Sequence, residues 1–414
     1  MKNITLKLVV DFLLGASLFL IPFLPVLPPI LWIVAIVLWL AGGGFKKLNL
    51  NFVKSKHVWV LLCLYLALAM GMLWTNDLDY GFRDLRIKLP ILIFPLFFFF
   101  FEVDEQSSKY IKEGFVCGSV AAALFSFINA SVKYSWTGDT NEFFYINYSY
   151  LMFPGYFAIC INLAIIFILS TIFNQQKILF TSNKLLLWAT VIFMSANIIL
   201  ISEKMSMITA IVTVPFFYIA ESHSKKLLKS NIKKLVIAFA AFIIVFALYL
   251  NHYNRFTQVF DAIKTFREDS NPRDKSYYNS STIRLAEWKY GYEIFLEHPF
   301  IGVGTGDIKN ESMNKYIKEN FTYGIAHFET PASQYLHMAI ILGLLGVAVL
   351  LFSFFYPFFL AIKYQHYVYA AFLLIYILNS ITGTILTASC VLIYGFFNSF
   401  LFFEMIRNKK YSNQ

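Results

Sequence analysis

Apolar runs of about 20 residues recur along almost the whole chain, the length an α-helix needs to cross a bilayer. They fall near 6–23, 27–43, 57–74, 89–103, 114–133, 149–174, 185–202, 204–220, 235–250, 333–361, 367–383 and 388–406. The pattern predicts an all-α, polytopic membrane protein of about twelve transmembrane helices. The fourth and ninth runs are short and the sixth and tenth long, which predicts tilting. One polar interval of about eighty residues breaks the series between Leu250 and Pro331. The chain therefore divides into 1–250 (nine helices), 251–331 (one large loop) and 332–414 (three helices and a tail).

The large loop is itself patterned. Phe256, Val259, Phe260, Ile263 and Phe266 recur at helical spacing between Arg255 and Arg267. A polar hinge, Glu268 to Ser281, follows. Thr282 to Leu296 is again helical in pattern, and His298-Pro299 stops it. Gly302, Gly304 and Gly306 in GVGTGD predict a tight turn rather than a nucleotide loop, since no Walker pattern and no strand accompany them. Residues 308–320 predict another short helix. Folded together, these pieces form a lid over one membrane face.

Composition agrees: of 414 residues, 58% are hydrophobic and only 14% charged, far more apolar than a soluble domain of this size requires. The net charge of +10 is mostly orientation bias. With the N-terminus in the cytoplasm, Lys46, Lys47, Lys54, Lys56, Lys225, Lys226, Lys229, Lys233, Lys234, Arg407, Lys409 and Lys410 all fall inside. The large loop, with ten basic and eleven acidic residues, falls outside. Nucleic-acid binding is therefore not what the charge indicates. The first run lacks a small-residue cleavage site and reads as a retained helix. Cys63, Cys117, Cys160 and Cys390 all lie within apolar runs, predicting buried packing rather than disulfides or a metal site. The pair in Asn76-Asp77-Leu78-Asp79 is too loose to specify a metal, and no metal or cofactor is expected. No internal repeat is visible, which argues against an exporter of two related halves, the reading from another functional class.

Several cations break the positive-inside pattern: Arg83, Arg86 and Lys88 beside the fourth run, Lys204 after Glu203, and Arg284 in the loop. Snorkelling explains the first group and a local ion pair with Glu203 explains Lys204. Cations gathered at an outer membrane surface also suit a lipid diphosphate, arginine as a bidentate fork and lysine as a point charge.

Arg284-Leu-Ala-Glu-Trp288, then His298-Pro299-Phe-Ile-Gly302-Val-Gly304-Thr-Gly306, then Ser333-Gln334-Tyr335-Leu336 before Gly343-Leu-Leu-Gly346, resemble the signature of the O-antigen ligase family. The motifs span about residues 195–350. The resemblance implies a GT-C-like integral-membrane glycosyltransferase in a bacterial inner membrane, its active site facing the periplasm. It implies an undecaprenyl-diphosphate-linked glycan donor, lipid A core as acceptor, and metal-independent, inverting transfer. The alternative acceptor is another lipid-linked glycan, as in the O-antigen polymerases of the same superfamily. Arg284 matches the family's loop arginine, and Lys204 stands where Ser-Arg is common. Arg86, Lys88, Gln334 and Tyr335 are the further residues expected to bind substrate. The family's histidine, which serves the acceptor, falls at Ala332, and alanine exchanges no proton. Either a His→Ala substitution stands here, the reading favoured by the intact flanking motif, or His327 or His337 has taken over.

Overall fold

A computed structural model of the protein describes residues 2–48, 51–174, 181, 183–224, 264 and 280–412, and every regular element among them is helical. The ninth apolar run, the helix expected over Arg255 to Arg267 and the lysines from Lys225 to Lys234 lie outside the described residues.

Short turns apart, the helices are α1 (Lys2–Leu20), α2 (Leu27–Ala41), α3 (Lys56–Met70), α4 (Leu78–Ile87), α5 (Pro90–Phe100), α6 (Glu105–Thr137), α7 (Pro154–Asn174) and α8 (Lys184–Ile201). They continue with α9 (Lys204–Ser224), α10 (Ser280–Glu297), α11 (Ile308–Lys318), α12 (Thr322–His327), α13 (Gln334–Lys363), α14 (Tyr367–Asn379) and α15 (Ala388–Ser412). A helix occupies each apolar run that is described. Among the described residues, seven segments are long and apolar enough to cross a membrane, against twelve expected for the whole chain, and α2 and α14 are apolar but shorter.

Two expectations need correcting. The sixth run does not begin at Ser149, because Pro154 starts α7 and the residues before it turn outside the helix. The tenth run is not one long tilted rod. Gly343 breaks α13 with φ 62° and ψ −150°, a conformation open to glycine and closed to other residues. A break at this depth frees polar backbone that lipid cannot satisfy. The glycine turn satisfies it: Val303 N–H donates to Ile340 O (2.9 Å), Gly304 N–H to Ile341 O (3.0 Å), and Leu344 N–H to Pro299 O (2.8 Å). A Cβ on Gly302 would strike the backbone of Ile341 and Leu342.

The same turn reaches a second helix end. Thr305 Oγ1 donates to Leu68 O (2.7 Å) at the end of α3, and Gly306 N–H donates to Thr75 Oγ1 (2.7 Å). The buried Asp307 carboxylate accepts the Asn76 and Asp77 N–H groups, both at 2.8 Å. Asp77 then caps α4 by accepting Tyr80 N–H. GVGTGD thus joins the loop to the membrane helices, and the Asn76-Asp79 pair serves a helix start. Asp307→Ala leaves two amides without their acceptor. It is expected to cost roughly 1–3 kcal/mol, read as a lower thermal unfolding midpoint of the purified protein.

Close packing elsewhere follows from small residues. Gly114 and Gly118, four apart on α6, lie against the backbone of Gly15 and Phe19 on α1, where any Cβ would collide. The four cysteines are free.

The chain's polar groups segregate to two ends. At one, Lys7 pairs with Asp104, Lys47 with Glu102 (3.4 Å), and Lys112 with Glu404 (2.7 Å). Arg407 donates to Phe98 O and Phe101 O at the same end. At the other lie α4, α10, α11, α12 and the segment joining α14 to α15.

The outer elements have a core of their own. Ala286, Tyr290, Tyr316 and Phe321 are buried together, with Tyr290 and Tyr316 ring centroids 5.9 Å apart and Tyr316 and Phe321 5.1 Å apart. Lys315 bridges Glu293 at 2.8 Å and Glu297 at 3.3 Å. The described part of the loop is therefore a folded cap. Gly291 lets α10 lie against Pro331 and Leu336, where α13 begins.

Candidate functional site

Helix α10 organises the site. Ser281, Arg284, Glu287 and Trp288 are spaced three and four apart, so they share one face. At the start of that face, Lys204 Nζ donates to Ser281 Oγ at 3.0 Å. Lys204 is the first residue of α9, and Glu203 before it caps the helix by accepting Ser206 N–H. At the other end, Trp288 Nε1 donates to Ala332 O at 3.0 Å and Ala332 N–H donates to Glu287 Oε2 at 3.3 Å. One helical face thus links Lys204, Arg284 and Ala332, residues separated by up to 128 positions in the chain. The axial rise from Ser281 to Trp288 is about 10 Å.

Glu287 was not singled out by sequence. It is 3% exposed, and burial, reinforced by the Glu329 carboxylate, pushes its pKa up to about 8. The Ala332 amide and the Arg284 guanidinium oppose that rise without cancelling it.

The remaining expected site residues are placed differently. Arg86, like Arg83, is exposed on α4, an amphipathic helix with Gly81, Asp84 and Leu85 buried beneath. Lys88 is fully buried in an ion pair with Asp84, one turn back. Gln334 is fully buried, its N–H donating to Ser380 O (2.9 Å) and its side-chain oxygen accepting Leu386 N–H (3.0 Å). Tyr335 donates to Ile377 O at 3.0 Å. Gln334 and Tyr335 therefore dock the start of α13 onto α14 and the segment after it. Ser333 caps α13, its Oγ accepting Leu336 N–H.

The two histidines considered as substitutes for position 332 lie in different surroundings. His337 is buried, within electrostatic reach of Lys88 and Asp84, and its Nδ1 has no hydrogen-bond partner among the described residues. His327 is exposed on α12, stacked on Tyr323 at 4.1 Å between centroids.

Below Lys204, a buried polar chain joins three membrane helices. Asn162 Nδ2 donates to Ser206 O, Ser206 Oγ donates to Asn379 Oδ1 (3.2 Å), and Asn379 Nδ2 donates to Thr209 Oγ1 (3.1 Å). It ties α7, α9 and α14 together beneath the site, and so holds the head of α9 in register.

These features define a polytopic helical membrane protein with a folded cap that sets two cations and a buried acid over the start of a broken helix. Residues 189–351 match the family model described as O-antigen ligase, and over that stretch the chain is similar to the family. The matched stretch contains Lys204, Arg284, Glu287, Ala332 and both partners of the α13 break. No curated protein compared with the chain matches it. Members of the family are glycosyltransferase-like enzymes, which fits the lipid-linked glycan and membrane setting expected from the motifs.

Proposed function

We propose that the protein transfers a glycan from undecaprenyl diphosphate to lipid A core, with inversion and without a metal, on the periplasmic face of a bacterial inner membrane. The observation that carries this reading is the shared α10 face linking Lys204, through Ser281, with Arg284 and the backbone of Ala332. The donor diphosphate lies at the Lys204 and Arg284 end of that face. Lys204 and Arg284 offset the charge that grows on the diphosphate as the glycosidic C–O bond breaks. The exposed Arg86 guides the lipid diphosphate toward the site from α4. Lys88, Gln334 and Tyr335 contribute by fixing the helices around the site, through Asp84, Ser380 and Ile377 respectively.

The acceptor hydroxyl approaches the anomeric carbon from the side opposite the diphosphate, near the start of α13. A sugar hydroxyl is a poor nucleophile at neutral pH, and a histidine at 332 would assist its deprotonation. With alanine there, donor binding is retained and transfer falls far below that of a histidine-bearing chain.

Charge removal at the donor site tests the reading. Arg284→Gln and Lys204→Gln are each expected to weaken binding of undecaprenyl diphosphate about 10-fold or more, the value of a hydrogen bond to a charged group. Binding can be followed by the change in tryptophan fluorescence or by calorimetry. Unchanged affinity in both variants would remove the diphosphate from this face.

A further inference from the structure

Glu287 is a buried acid with a specific partner. Its Oε2 accepts the N–H of Ala332, and the next residue, Trp288, holds the Ala332 carbonyl. The two contacts clamp the residue whose side chain the family resemblance assigns to the acceptor. Arg284 stands one turn earlier on the same helix, so the carboxyl lies between the donor cations and the start of α13.

We infer that Glu287 takes up the proton of the acceptor hydroxyl in this chain. The inference rests on the glycosyltransferase reading above. As the acceptor oxygen bonds to the anomeric carbon, its proton passes to the Glu287 carboxylate. The bond from the anomeric carbon to the diphosphate oxygen breaks, and its electron pair leaves with the diphosphate, facing Lys204 and Arg284. Glu287 then returns the proton to water. The groups facing the carboxyl are Arg284 on its own helix, Tyr316 on α11, Tyr323 on α12, Glu329 after α12 and the Ala332 amide before α13. Glu329, the like charge, keeps the proton on Glu287 to higher pH, whereas Arg284 and the amide favour the carboxylate. The buried Tyr316 hydroxyl has no hydrogen-bond partner among the described residues and sits within electrostatic reach of both carboxyls, a donor available to the ionised form.

Glutamine is the informative replacement, because its amide oxygen still accepts the Ala332 N–H while the proton-accepting function is lost. In the purified full-length protein, with an undecaprenyl-diphosphate glycan and lipid A core, Glu287→Gln is expected to lower transfer about 100-fold or more. Undecaprenyl diphosphate without sugar should bind as before. Transfer by the unaltered chain should rise with pH through about 8, since only the ionised carboxyl accepts a proton. Glu287→Asp should retain part of the rate. A Glu287→Gln, Ala332→His double variant should recover transfer, which a misfolded protein would not. Full transfer by Glu287→Gln, or a flat profile between pH 7 and 9, would overturn the inference. So would no transfer by the unaltered chain when Ala332→His transfers. Absence of transfer from every variant would instead remove the glycosyltransferase reading on which the inference depends.

Discussion

Replacing Ala332 with histidine is expected to raise glycan transfer at pH 7 about 10-fold, because an imidazole there is mostly unprotonated while the Glu287 carboxyl, near 8, is mostly protonated. The backbone at 332 is held from both sides, by Glu287 on its N–H and Trp288 on its carbonyl. A side chain added there therefore projects from a fixed point beside the α10 face. An unperturbed imidazole titrates near pH 6.5. The variant's rate should accordingly rise with pH about a unit or more lower than that of the unaltered chain, whose rise follows the Glu287 carboxyl near 8. Equal rates at neutral pH for the two proteins would show that position 332 plays no part in the chemistry.

The second large effect is structural. Gly343→Ala puts a Cβ on a residue at φ 62° and drives it into the backbone of Phe300. Gly302→Ala does the same from the other side, at φ 68°, against Ile341 and Leu342. Neither obstacle is a flexible side chain that can swing away. Backbone strain of 1–3 kcal/mol adds to the collision and to the loss of hydrogen bonds bridging the break, so each substitution is expected to cost about 3–5 kcal/mol. Gly383→Ala serves as a control, since its Cβ would meet nothing closer than 3.6 Å and its φ is not left-handed. Thermal unfolding in detergent should show a large loss for the first two and little for the third. Wild-type stability in Gly343→Ala would mean that the α13 break is not held by the glycine turn.

Much of the fold was legible because the bilayer requirement writes itself into sequence as apolar length. Polar breaks such as Leu250 to Pro331 stand out for the same reason. The pairing of the glycine turn with the α13 break was not legible. GVGTGD reads as a tight turn and Gly343 only as part of a motif, and the hydrogen bonds that join them are visible only in three dimensions. The α4 helix was missed because it is short and carries charge. Its signal was present, however, in the Asp77 cap and in Asp84 and Lys88 four residues apart.

At the site, the motif spacing drew attention to Arg284 and Lys204, and the fold sets Lys204 against Ser281 on the helix that carries Arg284. The partners of Gln334 and Tyr335, which are Ser380, Leu386 and Ile377, lie too far away in sequence to be read from it, whereas Asp84, the partner of Lys88, lies one turn back. Glu287 left a readable trace. It falls on the same helical stripe as Tyr290, Gly291 and Ile294, all buried, and an acid on a buried stripe asks for a partner.

If the α10 face serves glycan transfer from a lipid diphosphate, the products of the purified protein will show it. The most direct measurement incubates purified unaltered and Ala332→His proteins with an undecaprenyl-diphosphate glycan, with and without lipid A core, and identifies the products by mass. The account expects glycosylated lipid A core when the acceptor is present, formed faster by the histidine variant. Longer lipid-linked chains from donor alone would make the protein a polymerase on the same site. A donor left intact by both proteins would contradict the account.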